Sequence, residues 1–171
     1  MPQPRKTLGD IHSDICLQLM RLMETQSKAT LARWAIGYAR EQYLPICREA
    51  CPELETVVND CMACAQQGKP AAQYKDRMRT AAALSRASQG PAAQAAARAV
   101  AVACAVMQTP SNALGFLFYG AAATAYTRAG LDKSQEEYDV LAKEELCRAH
   151  DSLCACAIEN EKNPAGIRWN C

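Results

Sequence analysis

Apolar positions recur along this chain at intervals of three and four residues, the spacing that gathers side chains on one face of an α-helix. Asp10 stands where an N-cap would, ahead of Ile11, Ile15, Leu19 and Leu22, with Cys16 and Met23 beside them. This predicts a first helix ending near Glu24. A second starts around Ser27 to Ala29, and Leu31, Trp34, Ala35, Tyr38 and Ala39 repeat the pattern until Pro45 should kink or end it. Pro52 suits the opening of a third helix, with Glu53 and Glu55 at its positive end. Leu54, Val57, Val58, Cys61, Met62 and Ala65 make its apolar face, and Gly68-Lys69-Pro70 ends it. A fourth helix is expected over residues 72–89 and a fifth over 91–108. A sixth should run from a Ser111 or Asn112 cap to Gly130, and a seventh from an Asp132 or Ser134 cap towards Ile158. No stretch alternates convincingly as a strand. The pattern is that of an all-α, single-domain bundle of six or seven helices.

Residues 81–108 form the centre of that bundle. Thirteen of these 28 residues are alanine, the best helix former and one with almost no bulk. They predict a closely packed helix pair, with Gly90 stopping the first helix and Pro91 starting the second. Arg98 is the only charge in the second, so that helix should be buried nearly all round. Gly115, Gly120 and the alanines at 121–123 imply equally close contact for the next helix. Trp34, Phe116 and Phe118 read as core anchors, while the hydroxyls of Tyr38 and Tyr43 must reach water or a partner. The alanine surface with Phe116 and Phe118 could alternatively serve a homodimer. Residues 1–8, polar with two prolines, are expected to form a flexible arm, residues 9–160 the bundle, and residues 161–171 a tail after Asn163-Pro164-Ala165-Gly166.

Net charge is only +1, which gives no nucleic-acid signature, but its distribution is uneven. Residues 69–128 hold seven bases and one acid, a balance of +6; residues 132–161 hold nine acids and three bases, a balance of −6. The two segments either neutralise each other or leave a polarised surface that steers a charged partner. Lys75, Arg79 and Arg86 fall at helical spacing as a basic stripe, and Glu136, Glu137 and Glu144 as an acidic face that also takes in Glu145. The first ten residues lack the apolar centre of a signal peptide, and no apolar run approaches the roughly 18 residues of a membrane span. A cytoplasmic location, no membrane partner and reduced thiols are the expectation.

Little in the chain carries chemistry. Ten cysteines are many for 171 residues, yet free cysteine packs as a small hydrophobe. Cys61 and Cys64 form C-x-x-C, and Cys154 and Cys156 form C-x-C; together the four could offer thiolates to zinc. Cys154 and Cys156 would point about 200° apart on a regular helix, which disfavours a shared metal. The C-x-x-C lies within a helix, not at the helix start where a thiol is activated. Cys171 is expected to be exposed. His12 and His150 have no nucleophile or ligand pattern around them and read as surface residues of the end helices. There is no phosphate loop, nucleophile elbow or H-E-x-x-H. No catalytic residue and no cofactor are expected. A cysteine-rich metal-binding or thiol redox-sensing bundle is the alternative to a binding protein, and metal content separates the two.

Three stretches carry a family resemblance. LARWAIGYAREQYLPI (residues 31–46) is a tryptophan-bearing helix with a late leucine-proline. CPELETVVNDCMACAQQGK (51–69) opens at a proline turn and closes on glycine. RMRTAAALSRASQGPAAQAAARAVAVACAVMQTPSNALGFLFYGAAAT (77–124) is an alanine-rich helix pair followed by an A-L-G helix. In this order, over residues 31–128, they resemble the Imm-five-like immunity proteins. The family often has polar or histidine residues near the positions of Gln108 and Asn112, and an acid three residues after the tryptophan, where this chain departs with Gly37. It implies a bacterial protein that protects the producing cell or its kin by stoichiometric binding of a cognate polymorphic toxin. The basic stripe and the acidic face are then the candidate contacts.

Overall fold

The computed structural model describes residues 3–169, so Cys171 lies outside the described residues. Seven long α-helices make the bundle: α1 (Asp14–Glu24), α2 (Lys28–Gln42), α4 (Glu53–Gln66), α5 (Lys75–Ala87), α6 (Pro91–Cys104), α7 (Asn112–Ala129) and α8 (Gln135–Cys156). A single turn, α3 (Leu44–Cys47), follows α2, and a 3-10 turn (Ala71–Tyr74) leads into α5. Among the described residues there is no strand, and no helix is long and apolar enough to cross a membrane. The all-α architecture is the one its periodicity predicts.

Helix ends differ from expectation where side chains compete for the capping role. Ser13, not Asp10, caps α1 by accepting from the Cys16 N–H. Asp10 instead organises the preceding turn, accepting from the His12 N–H at 2.9 Å. Pro45 does end α2, because the chain restarts at Tyr43 with proline in the first turn of α3. α5 stops at Ala87, before Gly90, as Ser88 turns extended and donates its hydroxyl to the Leu84 carbonyl at 3.2 Å. Gly90, at φ 89°, is instead the N-cap of α6. α6 itself ends at Cys104 rather than Gln108. Ser134 and Glu137 form a reciprocal capping box at the start of α8.

α6 is the central helix, packed against α2, α3, α4, α5 and α7. Its interface with α7 is the most extensive in the bundle. Ala95, Ala96, Ala97, Ala99, Ala101 and Ala103 are all buried on it, so the backbones can approach closely. α8 closes the other side, against α7, α1 and α2. Trp34, Tyr38, Tyr43 and Phe116 form an aromatic cluster between α2 and α7, with Trp34 to Phe116 and Tyr38 to Tyr43 centroids 5.5 and 5.6 Å apart at steep angles. Phe116 is fully buried and therefore unavailable to a dimer surface, while Phe118 is half-buried against the core.

Both chain ends are drawn onto the bundle. Leu8 is buried, its N–H donates to the Phe118 carbonyl at 3.1 Å, and Tyr126 donates its hydroxyl to the Arg5 carbonyl at 2.6 Å. Residues 5–8 thus run as a strap along α7. At the other end, the buried Gln26 side chain exchanges hydrogen bonds with Ile158 backbone, at 3.1 and 2.8 Å. The Glu161 carboxylate accepts from the Ser27 N–H and, at 2.6 Å, from the Thr30 hydroxyl, placing negative charge at the α2 N-terminus.

Gly120 is where the packing is tightest. The hydroxyl end of the Tyr43 ring fills the space beside its Cα, and a methyl group there would overlap the ring carbons and the hydroxyl. Gly120→Ala should therefore expel Tyr43 and cost about 3 kcal/mol or more. Thermal unfolding checks this: a variant that melts with the native protein would refute the close approach.

Candidate partner-binding surfaces

The inward face of α8 carries Tyr138, Ala142, Glu145, Leu146, Ala149 and Leu153. Glu145 is thus not part of the acidic surface. It is only 2 % exposed. The reason is register: it lies seven residues after Tyr138 and four before Ala149, on the stripe that faces α2 and α7. Its carboxylate is satisfied throughout. Oε2 accepts the Tyr38 hydroxyl at 2.8 Å and the Tyr43 hydroxyl, and Oε1 accepts Arg148 Nε at 3.0 Å and Nη2 at 2.8 Å. The partner that the two tyrosines need is therefore a buried acid, not water. Burial first, then the Glu145 charge, pushes both tyrosine hydroxyls well above their ordinary range. Nearby, Trp34 Nε1 donates to Ser152 Oγ at 3.1 Å.

The charged candidates stay on the surface but play different parts. Lys75, Arg79 and Arg86 are all exposed along α5. Arg79 comes within 3.8 Å of Asp76, a largely solvated pair worth little. Glu136 is exposed without a bonded partner among the described residues. Glu137 is committed to the capping box, where the Ser134 N–H at 2.8 Å and then the Ser134 hydroxyl hold its carboxyl below the ordinary range. Glu144 pairs with Arg128 at 3.1 Å. That is the one ion pair, among the described residues, between the basic middle and the acidic C-terminal segment. Elsewhere the two segments face solvent without a direct ion pair between them among the described residues.

Arg86 ends the stripe at the mouth of an open cleft of about 720 Å³. Arg5 and Lys6 come to it from the N-terminal strap, and Arg98 and Gln94 from α6. Arg98 lies over the Tyr119 ring, 5.4 Å from its centroid. Arg5 and Lys6 belong to the stretch assigned to an arm from its polarity, and nothing in the local sequence shows that Tyr126 and Phe118 hold it against α7.

The four cysteines considered for zinc are not brought together. Cys61 and Cys64 are on α4, and Cys154 and Cys156 at the end of α8. Among the described residues no group of three or more His, Cys, Asp or Glu could hold a metal ion. Cys61 is fully buried with its thiol free, and a hydrogen bond from the free Cys104 thiol of α6 lowers it. The same bond, with burial, pushes Cys104 well above its ordinary value. The Tyr74 hydroxyl lies buried close by without a partner, and burial raises it to about 12. Cys154 is exposed, with its sulfur 3.7 Å from the His150 ring. His12 is exposed in the turn before α1, and His150 is half-buried on α8.

A family model described as "Imm-5 like putative immunity protein" matches residues 21–149. The chain belongs to this immunity-protein family. No curated protein matches it, and no solved structure does. The matched region extends on both sides beyond residues 31–128. It takes in the last turn of α1 and most of α8, and so holds every member of the Glu145 cluster: Tyr38, Tyr43, Glu145 and Arg148. It also holds Lys75, Arg79, Arg86, Glu136, Glu137 and Glu144. The strap with Arg5 and Lys6 precedes it.

Two outcomes follow for the buried carboxylate. Glu145→Ala leaves two buried hydroxyls and a guanidinium without their acceptor, and should cost about 3–5 kcal/mol in chemical denaturation. A loss within about 0.5 kcal/mol would mean that the cluster is bypassed by water. The tyrosines set the alkaline limit. In the unfolded chain they ionise near pH 10, while in the fold they stay protonated, so above about pH 10 the unfolded state binds fewer protons and stability falls as pH rises. Melting temperature should decline over that range, and less steeply in Tyr43→Phe; parallel declines would remove Tyr43 from the effect.

Proposed function

We propose that this chain is a bacterial immunity protein that neutralises a cognate polymorphic toxin by binding it one to one in the cytoplasm, with no catalytic step. Membership of the immunity family over residues 21–149 carries this reading. Two features of the fold support it. The interior is closed by an aromatic cluster and a fully bonded carboxylate, so the scaffold can hold a surface in one shape. The basic and acidic poles remain turned to solvent, joined directly only by Arg128 and Glu144 among the described residues. Such poles speed encounter with a complementary partner and exclude wrong ones.

The test is co-purification with the product of the neighbouring gene in the native genome, followed by titration calorimetry. A tight one-to-one complex that abolishes the neighbour's toxicity is the expected result. A non-toxic neighbour that does not bind would overturn the reading.

A further inference from the structure

The cleft beside the N-terminal strap gathers four cations on two walls. Arg5 and Lys6 stand on the strap, Arg86 on the last turn of α5, and Arg98 midway along α6. None of the four has an ion-pair partner among the described residues. No acid among the described residues lines the cleft. Four like charges held near one another repel, and that repulsion is relieved when an anion enters. The strap's position is built: Tyr126 holds the Arg5 carbonyl at 2.6 Å, and Phe118 accepts the Leu8 N–H at 3.1 Å. Arg98 is half-buried and seated on Tyr119, so its guanidinium is already oriented. The N-terminus of α6 opens at the same place, with Gly90 giving it no side-chain cap.

We propose that this cleft receives an acidic segment of the toxin's surface, and so is the docking site of the immunity complex; this rests on the reading above. Its size and surroundings select the occupant. At about 720 Å³ it is far larger than one phosphate and lies open to solvent, as a polypeptide segment requires. A nucleic acid needs a continuous basic track for its phosphates. Here the track is interrupted: across the strap, a second hollow shares Arg5 and Lys6 but adds the carboxylates of Asp10 and Asp139, with Lys143 the one further cation among its lining residues. A run of phosphates leaving the cleft would meet those carboxylates. A protein segment carries its acids at one point and can present other residues to the second hollow.

The test uses the full chain, ¹⁵N-labelled, at low ionic strength. An octapeptide of glutamate is titrated in parallel with a single-stranded DNA octamer and with inorganic phosphate. The peptide should shift the amides of Gly90, Gln94 and Arg98 more than either comparison. Arg5→Glu/Lys6→Glu, both exposed positions, should weaken peptide binding by about tenfold or more, while Arg21→Glu/Lys162→Glu, exposed and outside both the cleft and the basic stripe, should not. Circular dichroism melts confirm that both variants fold. Absence of peptide binding, or equal shifts from the DNA octamer or from phosphate, would overturn the assignment. The same two variants are then titrated with the neighbouring gene product. The cleft variant should again lose about tenfold or more. Native-like toxin binding by the cleft variant would overturn docking here and leave the immunity function standing. A cleft that takes the peptide in a chain that binds no toxin would keep the anion site and overturn the function.

Discussion

A carboxylate sealed inside a helical bundle is a severe constraint, and the architecture is arranged around meeting it. Taking Glu145 out of water costs several kcal/mol unless its oxygens are bonded. They are, by donors from two different places. Tyr38 and Tyr43 come from α2 and the junction that follows it, and Arg148 comes from the next turn of α8 itself. A slip of α8 by one residue along α2 would carry Glu145 off both hydroxyls. The cluster therefore selects one register where apolar contacts alone would tolerate several. That is a gain in specificity, whatever its net contribution to stability.

The same cluster explains why the neighbouring residues are small. Tyr43 can reach Glu145 only by lying across α7, and α7 allows this only because Gly120 has no side chain. Along the interface of α7 with α6, buried alanines likewise leave room for close approach. α7 is thus narrow both where the aromatic ring meets it and where α6 packs. Narrow helices pack with little rotamer freedom to lose, because alanine and glycine have none. The resulting interior has few ways to adjust. A protein built this way suits a task in which one surface must keep its shape and suits poorly one that needs a moving lid.

Much of this was legible in the residues. The period of three to four predicts six or seven helices, against seven long ones and one short turn in the structure, and the alanine run marks α6 and its neighbours as the centre. Trp34 and Phe116 were recognisable as core, and Tyr38 and Tyr43 as residues in need of a partner. The partner was misplaced because Glu145 stands next to Glu144 in an acid-rich stretch, and composition spoke louder than phase. The inward stripe set by Tyr138, Ala142 and Leu146 passes through position 145, so periodicity alone held the signal. The cysteines show the converse error. C-x-x-C drew attention to Cys61 with Cys64, whereas the contact that matters is Cys61 with Cys104, from a helix more than forty positions away. Spacing within one helix says nothing about which residue a second helix brings opposite. The strap is the third case: a polar, proline-containing segment shows no period, and what fixes it is a backbone carbonyl on α7 and a tyrosine hydroxyl.

That strap is the place where core and surface are coupled. Leu8 is buried, yet two and three residues earlier Lys6 and Arg5 face solvent at the cleft. The hydrogen bonds that anchor it all end on α7, the helix whose other residues hold Tyr43 and pack on α6. Two of the cleft's cations are therefore referenced to α7 and the other two to α5 and α6, through one continuous interior. If α7 shifted, the walls of the cleft would move apart. A binding surface assembled from a strap and two helices would ordinarily lose affinity to the entropy of ordering its parts. Here that ordering is already done when the bundle closes, so the buried carboxylate and the exposed cations, which share no contact, belong to one design.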